Sequence, residues 1–163
     1  MAHVEEFNEI FGGYDIGRVR DYSYFIFVEA IGGDKYIVRH IKKFANTPFH
    51  IQVAYAEGFL GYYQVKTLAV DATGMGLPIS EELQRKFAGK IEPVHFTNQW
   101  KSEAMQLLKR CFEQKKIVIP NDKDLIMHIH SIKRIAETGI VKYDAPRSEH
   151  TDHHGDAAWA LAL

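Results

Sequence analysis

Three aspartates sit where hydrophobic stretches end or begin: Asp15 after Gly12-Gly13-Tyr14, Asp71 closing Lys66-Thr67-Leu68-Ala69-Val70, and Asp156 in His154-Gly155-Asp156-Ala157-Ala158-Trp159. A carboxylate beside a buried run costs desolvation energy unless a cation meets it. Three such residues, far apart in sequence but alike in context, point to a shared cation. Hard divalent ions such as magnesium take oxygen ligands, usually a few carboxylates with waters and substrate phosphates. The chemistry these residues suggest is metal-dependent attack on a phosphate ester. Asp152 lies one helical turn before Asp156, and Asp21 lies six residues beyond Asp15, so both are candidate peripheral ligands. The cluster His150, Asp152, His153 and His154 invites a zinc reading, but helical zinc pairs use i, i+4 spacing and adjacent histidines diverge. A polar turn beside the acidic site is the expectation there. His128 and His130, on either side of Ile129, are expected at the surface.

The elements that must position these residues follow from pattern. Residues 10–16 read as a short strand ending at Asp15, and residues 22–31 as a second strand rich in aromatic and β-branched side chains. Gly32-Gly33-Asp34 supplies a hairpin turn, and residues 35–43 return as a third strand. Residues 48–62 predict a helix, and Val65 to Val70 a strand buried on both faces. Pro78 opens a helix to about Phe87, and Ile91 to Phe96 forms another strand. Trp100, Ala104, Leu107, Leu108, Cys111 and Phe112 make one apolar helical stripe, capped by Thr97 or Asn98. A brief strand at Ile117–Ile119 precedes a helix capped by Asn121, with the stripe Leu125, Ile126, Ile129 and Ile132. Gly139 to Tyr143 reads as an edge strand, and the last helix begins at Asp152. A meander followed by alternating helices and strands gives an α/β domain with a mixed sheet.

Composition bounds the rest. At 163 residues, 46% of them hydrophobic, the chain suits one compact domain, 1–163. The net charge of −1 supplies no global field for nucleic acid, although a local basic groove can coexist with an acidic site. One cysteine, Cys111, excludes an internal disulfide. No apolar run approaches the roughly 18 residues of a membrane span, so a soluble, intracellular protein with no membrane partner is expected. The apolar close Trp159-Ala160-Leu161-Ala162-Leu163 lacks a capping signal and reads as the edge of a domain from something longer.

Four segments taken in order resemble a known family: Tyr14-Asp15-Ile16-Gly17-Arg18, Arg20-Asp21-Tyr22-Ser23, Val70-Asp71-Ala72-Thr73-Gly74-Met75-Gly76, and His154-Gly155-Asp156-Ala157-Ala158-Trp159. Together they are similar to the C-terminal nuclease domain of the large terminase subunit of tailed bacteriophages. The resemblance implies the ribonuclease H-like fold, with the meander first and helices on both faces of the mixed sheet. It implies an endonuclease cutting concatemeric double-stranded viral DNA during genome packaging, with two Mg²⁺ or Mn²⁺ ions held by Asp15, Asp71 and Asp156. Asp21 matches an acidic position near that site. The family's partners would be an ATPase motor domain, a small terminase subunit and a portal. The chain carries no Gly-x-x-x-x-Gly-Lys-Ser/Thr phosphate loop, so the motor lies outside it.

The expected mechanism is two-metal hydrolysis, with Asp15 bridging the ions and Asp71 and Asp156 each completing one coordination sphere. Phosphate contacts are expected from Arg18, Arg20, Lys101 and the backbone of Gly74 and Gly76. The isolated domain should be monomeric, acting in the host cytoplasm rather than in the virion. Two other readings stay open: another ribonuclease H-like nuclease (a resolvase or hybrid nuclease), and a non-catalytic module docking on DNA or a portal.

Overall fold

Alternation of apolar side chains builds the first half of the sheet. The computed structural model describes residues 8–17, 22–137, 140–145 and 154–163. Strands β1 (Ile10–Asp15), β2 (Ser23–Ala30) and β3 (Tyr36–Phe44) form the antiparallel meander. Its β2–β3 turn runs through Gly32, Gly33 and Asp34, all at positive φ. Helix α1 (Phe49–Tyr62) carries the chain across the sheet to β4 (Val65–Asp71), which pairs parallel with β1. Helix α2 (Gly76–Lys86) and strand β5 (Ile91–Val94) follow, with β5 parallel to β4.

Helix α3 (Asn98–Glu113), strand β6 (Ile117–Val118) and helix α4 (Lys123–Ser131) come next. The chain ends in β7 (Lys133–Glu137), β8 (Ile140–Asp144) and helix α5 (Asp156–Ala162). The main sheet has strand order β5-β4-β1-β2-β3-β6, so β1 is central and flanked by β4 and β2. No helix of the described residues is long and apolar enough to cross a membrane.

The two faces of the sheet carry separate cores. Tyr14, Phe25, Phe27, Leu68 and Val70 pack against Val53, Ala56 and Leu60 of α1 and Ile79 and Leu83 of α2. Tyr24, Ile26 and Val38 face the other way, against Met105 and Leu108 of α3, Leu125 of α4 and the run Ala157–Leu161 of α5. Helices therefore cover both faces of a mixed sheet, as expected.

Five local expectations need correction. The last helix starts at Asp156, with Gly155 at its N-cap, and not at Asp152. In α3 the buried positions are Met105 and Leu108, while Leu107 is 55% exposed. Leu107 instead lines an open apolar hollow with Cys111 and Ile117. In α4 the buried pair is Leu125 and His128, so His128 is not a surface residue; His130 is exposed. The cap of α4 is Asp122, whose carboxylate accepts from the Leu125 N–H at 2.8 Å, because the helix starts at Lys123 and Asn121 is one residue too early. The predicted edge strand near Tyr143 is β8, paired with an unanticipated β7 in a two-stranded sheet of its own. The exposed Lys133 and Arg134 that open β7 hid its strand pattern.

Candidate metal and nucleic-acid site

Strand parity sets the orientation of the first two carboxylates. Tyr14 and Val70 point into the α1/α2 core and pair with each other across β1 and β4. The next residue on each strand, Asp15 and Asp71, must point to the opposite face, because side chains alternate along a strand. The two carboxylates thus stand on neighbouring parallel strands, on one face, at the carboxyl ends where ligands of open α/β sheets bind. They are buried, at 6% and 7% exposure.

Helix α5 brings the third. A Cβ on Gly13 would overlap the carbonyl oxygen of Ala160, so only glycine lets α5 lie directly on β1. The end of α5 (Ala160 to Leu163) shares a hollow with Phe11, Gly12 and Gly13, while Asp156 at its start acts on the hydroxyl of Tyr24, the strand partner of Asp15, so the helix leads back along β1. Four helical residues back from Ala160 is about 6 Å, and two strand residues forward from Gly13 is about 6–7 Å. Asp156 therefore comes level with Asp15. It is also buried, at 6% exposure.

Each aspartate has a local setting. The Asp71 carboxylate accepts from the Thr73 N–H at 2.8 Å, and the Thr73 hydroxyl oxygen accepts from the Phe96 N–H at 2.9 Å, tying β4 to the chain after β5. Burial holds the Asp71 carboxyl above its usual range, partly offset by the Thr73 hydrogen bonds and the charges of Lys101 and His95. The Lys101 ammonium lies 4.6 Å from the Trp159 ring centroid on α5, and that indole leans on Phe96 at 5.8 Å. Tyr24, the strand partner of Asp15, has its hydroxyl pKa raised by burial first and then by Asp124 and Asp156. Under Tyr24 lies His128, edge-on at 5.3 Å, whose Nδ1 accepts from the Ala157 N–H at 3.0 Å.

Among the described residues no three His, Cys, Asp or Glu side chains gather closely enough to hold one ion. The fold brings Asp15, Asp71 and Asp156 to one face and one end of the sheet without closing a cage. Lys101 faces Asp71 from α3. Gly74 is exposed at φ 62°, in the turn before α2. The Gly76 N–H donates to the Thr73 carbonyl within that turn, and a Cβ on Gly76 would strike the Asp71 carbonyl oxygen. Arg18, Arg20, Asp21 and Asp152 lie outside the described residues, as do His150 and His153. Sequence reasoning missed His128 and Trp159 as neighbours of the site. The spacing of His128 three residues after Leu125, on the same helical face, was the available signal for the first.

Known proteins give the same architecture. The large terminase nuclease of thermophilic phage G20c with bound magnesium matches with a TM-score of 0.81, at 21% identity over 97% of this chain and 80% of that one. The bacteriophage HK97 large terminase matches at a TM-score of 0.73 and 10% identity, covering 95% of this chain and 38% of that one. In sequence, the Mu-like prophage FluMu protein gp28 of Haemophilus influenzae is 34% identical over 98 residues, which is 58% of this chain. The chain spans about a fifth of that relative, the match covering 19% of its length. The model of the terminase RNaseH-like domain family matches residues 12–163, from the glycine pair of β1 to the end of α5. The chain belongs to the terminase RNaseH-like domain family.

Proposed function

We propose that this chain is a metal-dependent endonuclease that cuts double-stranded viral DNA concatemers during genome packaging. The observation that carries the reading is the common face and level of Asp15, Asp71 and Asp156 in a member of this family. The donor set fits Mg²⁺ or Mn²⁺: it is all carboxylate oxygen, buried, and the Asp71 carboxyl is disfavoured as an anion even with Lys101 and His95 near. Magnesium keeps several waters and is commonly held by one or two carboxylates with substrate phosphates. An open arrangement of three aspartates suits that habit, and the magnesium-bound phage G20c nuclease shares the fold. The chemistry such a pair of ions supplies is activation of water and neutralisation of the leaving oxygen.

In this reading Asp15, Asp71 and Asp156 would hold the ions, with Asp15 on the rigid central strand as their main anchor, and Asp21 and Asp152 would be peripheral ligands. Lys101, held over Trp159, receives a phosphate oxygen beside Asp71. Trp159 and Phe96 pack against each other on that side of the site. Arg18, Arg20 and the Gly74–Gly76 turn are the other phosphate contacts. The domain works as residues 1–163 beside an ATPase motor domain, with a small terminase subunit and a portal, in the host cytoplasm. It is monomeric on its own.

Plasmid cleavage tests the proposal. Wild-type protein with Mg²⁺ or Mn²⁺ should nick and linearise the DNA, EDTA should stop it, and Asp15→Asn should be inactive while folded. A folded wild-type protein that leaves the plasmid intact with both ions overturns it, and DNA binding without cleavage would then favour a docking module.

A further inference from the structure

Helix α5 starts at a position that cannot cap itself. The first N–H groups of a helix have no partner within it, and a Ser, Thr, Asp or Asn side chain at the N-cap usually accepts one of them. Here the N-cap is Gly155, with φ 78° and no side chain. The positive φ favours glycine there, and a Cβ would also press on the end of the Ile132 side chain at 2.5 Å. The acceptor comes from another helix: His128 of α4 receives the Ala157 N–H on Nδ1 at 3.0 Å. A backbone amide only donates, so Nδ1 carries the lone pair and the ring proton of neutral His128 is on Nε2. The ring is 1% exposed and wedged edge-on against Tyr24, the strand partner of Asp15.

We propose that His128 is a positioning residue that caps α5 in trans and thereby holds Asp156 level with Asp15. Asp156 is the first residue of α5 and its neighbour Ala157 is the one bonded, so the cap acts one peptide away from the carboxylate. The helix has seven residues, too few to hold its own first turn in place without an outside partner. The inference rests on the reading of Asp156 as a metal ligand, and supporting groups one step behind a ligand commonly change metal affinity or activity by about 10–100-fold.

The test compares two amides at one position. In His128→Asn the side-chain oxygen falls near Nδ1, whereas in His128→Gln it falls near Nε2, out of line with Ala157. Plasmid cleavage is titrated with Mg²⁺ for wild type, both variants and Asp156→Asn, and amide hydrogen exchange at Ala157 is followed alongside. The expected result is that His128→Gln needs roughly tenfold more Mg²⁺ for half-maximal cleavage and loses protection at Ala157. His128→Asn should stay within about twofold on both measures. DNA binding in EDTA should be the same in both. A wild-type Mg²⁺ requirement in His128→Gln, or an Asn variant as impaired as the Gln variant, overturns the proposal. Full cleavage by Asp156→Asn would instead overturn the ligand assignment on which it rests, so the two failures are distinguishable.

Discussion

The two faces of the sheet are built from the same strands and do opposite things. On the α1/α2 face, buried polar groups are closed off locally: the Tyr14 hydroxyl donates to Gln52 at 2.6 Å, Gln52 donates to the Thr47 carbonyl at 2.7 Å, and Ser80 donates to the Leu77 carbonyl at 2.8 Å. Stacked rings fill the rest, with Tyr14 on Phe25 and Phe27 on Phe59, each at 3.7 Å between centroids. On the α3–α5 face lie three buried aspartates, Asp15 and Asp71 at strand ends and Asp156 on α5, with the buried His128 of α4. One residue of strand alternation separates a packing role from the proposed metal-binding one: Tyr14 from Asp15, and Val70 from Asp71. The α1/α2 face ties its polar groups into the packing of the core, and the α3–α5 face gathers the carboxylates that the proposed metal ions would meet.

The largest expected effect breaks this comparison at one peptide bond. Asp15→Asn should lower metal-dependent plasmid cleavage by more than the roughly 100-fold that supporting residues cost, with the melting temperature held or raised. Tyr14→Phe, one residue earlier, should do the reverse. It leaves the Gln52 carbonyl without its donor, at a cost of about 1–3 kcal/mol, and the folded fraction should cleave like wild type. Melting curves beside cleavage rates decide it; loss of cleavage in folded Tyr14→Phe would erase the distinction between the faces.

The adjacent glycines sharpen the same contrast. Gly12→Ala would press on the Phe27 and Leu68 side chains, at 2.6 and 2.8 Å, and overpacking of that kind costs about 1–3 kcal/mol. Gly13→Ala meets backbone instead, at the Ala160 carbonyl, so α5 must move off β1 and take Asp156 with it. Urea titration should find both variants destabilised, Gly13→Ala more so. Cleavage per folded molecule should fall only in Gly13→Ala.

The legible part of the molecule was the part governed by local periodicity. The meander followed from alternation and from the Gly32-Gly33-Asp34 turn, and β4 from its continuous apolar run. That Asp15 and Asp71 end two strands was legible for the same reason, but that they are neighbours depended on β4 pairing with β1, a crossover set by tertiary packing. The level of Asp156 depended on the direction of α5 and on Gly13. His128 was misplaced because a histidine reads as polar, while its burial depends on tertiary partners far away in sequence: the Ala157 amide, 29 residues on, and the Tyr24 ring. Leu107 was misplaced because α3 has more apolar residues than its buried face can use, and helical spacing alone does not say which remain exposed.

A smaller effect tests whether the chemical face is less stable than it could be. Burial raises the native pKa of Asp71 above the ordinary aspartate range. Between those two values the native state binds more protons than the unfolded chain, so stability falls as pH rises through that window and is level above it. Asp71→Asn keeps an acceptor for the Thr73 N–H and removes the charge. In EDTA at neutral pH it should melt higher than wild type, by about 2–4 °C for each kcal/mol recovered. The acid-side rise in wild-type stability that comes from Asp71 should also disappear. A variant that melts lower at neutral pH would mean that the carboxylate is already compensated by Lys101 and His95.

The smallest effect compares one lysine on each face. Lys42 lies over Phe44 at 5.5 Å and Tyr55 at 5.8 Å, against the α1/α2 core, and Lys101 lies over Trp159 at 4.6 Å beside Asp71. Each cation–ring contact is worth about 0.5–1 kcal/mol at an exposed site, so Lys42→Gln and Lys101→Gln should cost similar, small amounts of stability. Their effects on DNA should separate. A lysine that neutralises a phosphate contributes about 0.9 to the slope of log affinity against log salt. Duplex binding measured across a salt series should lose that increment in Lys101→Gln and keep it in Lys42→Gln. Equal slopes for the two would remove Lys101 from the DNA path and leave it as a packing residue over Trp159, doing on the chemical face only what Lys42 does on the other.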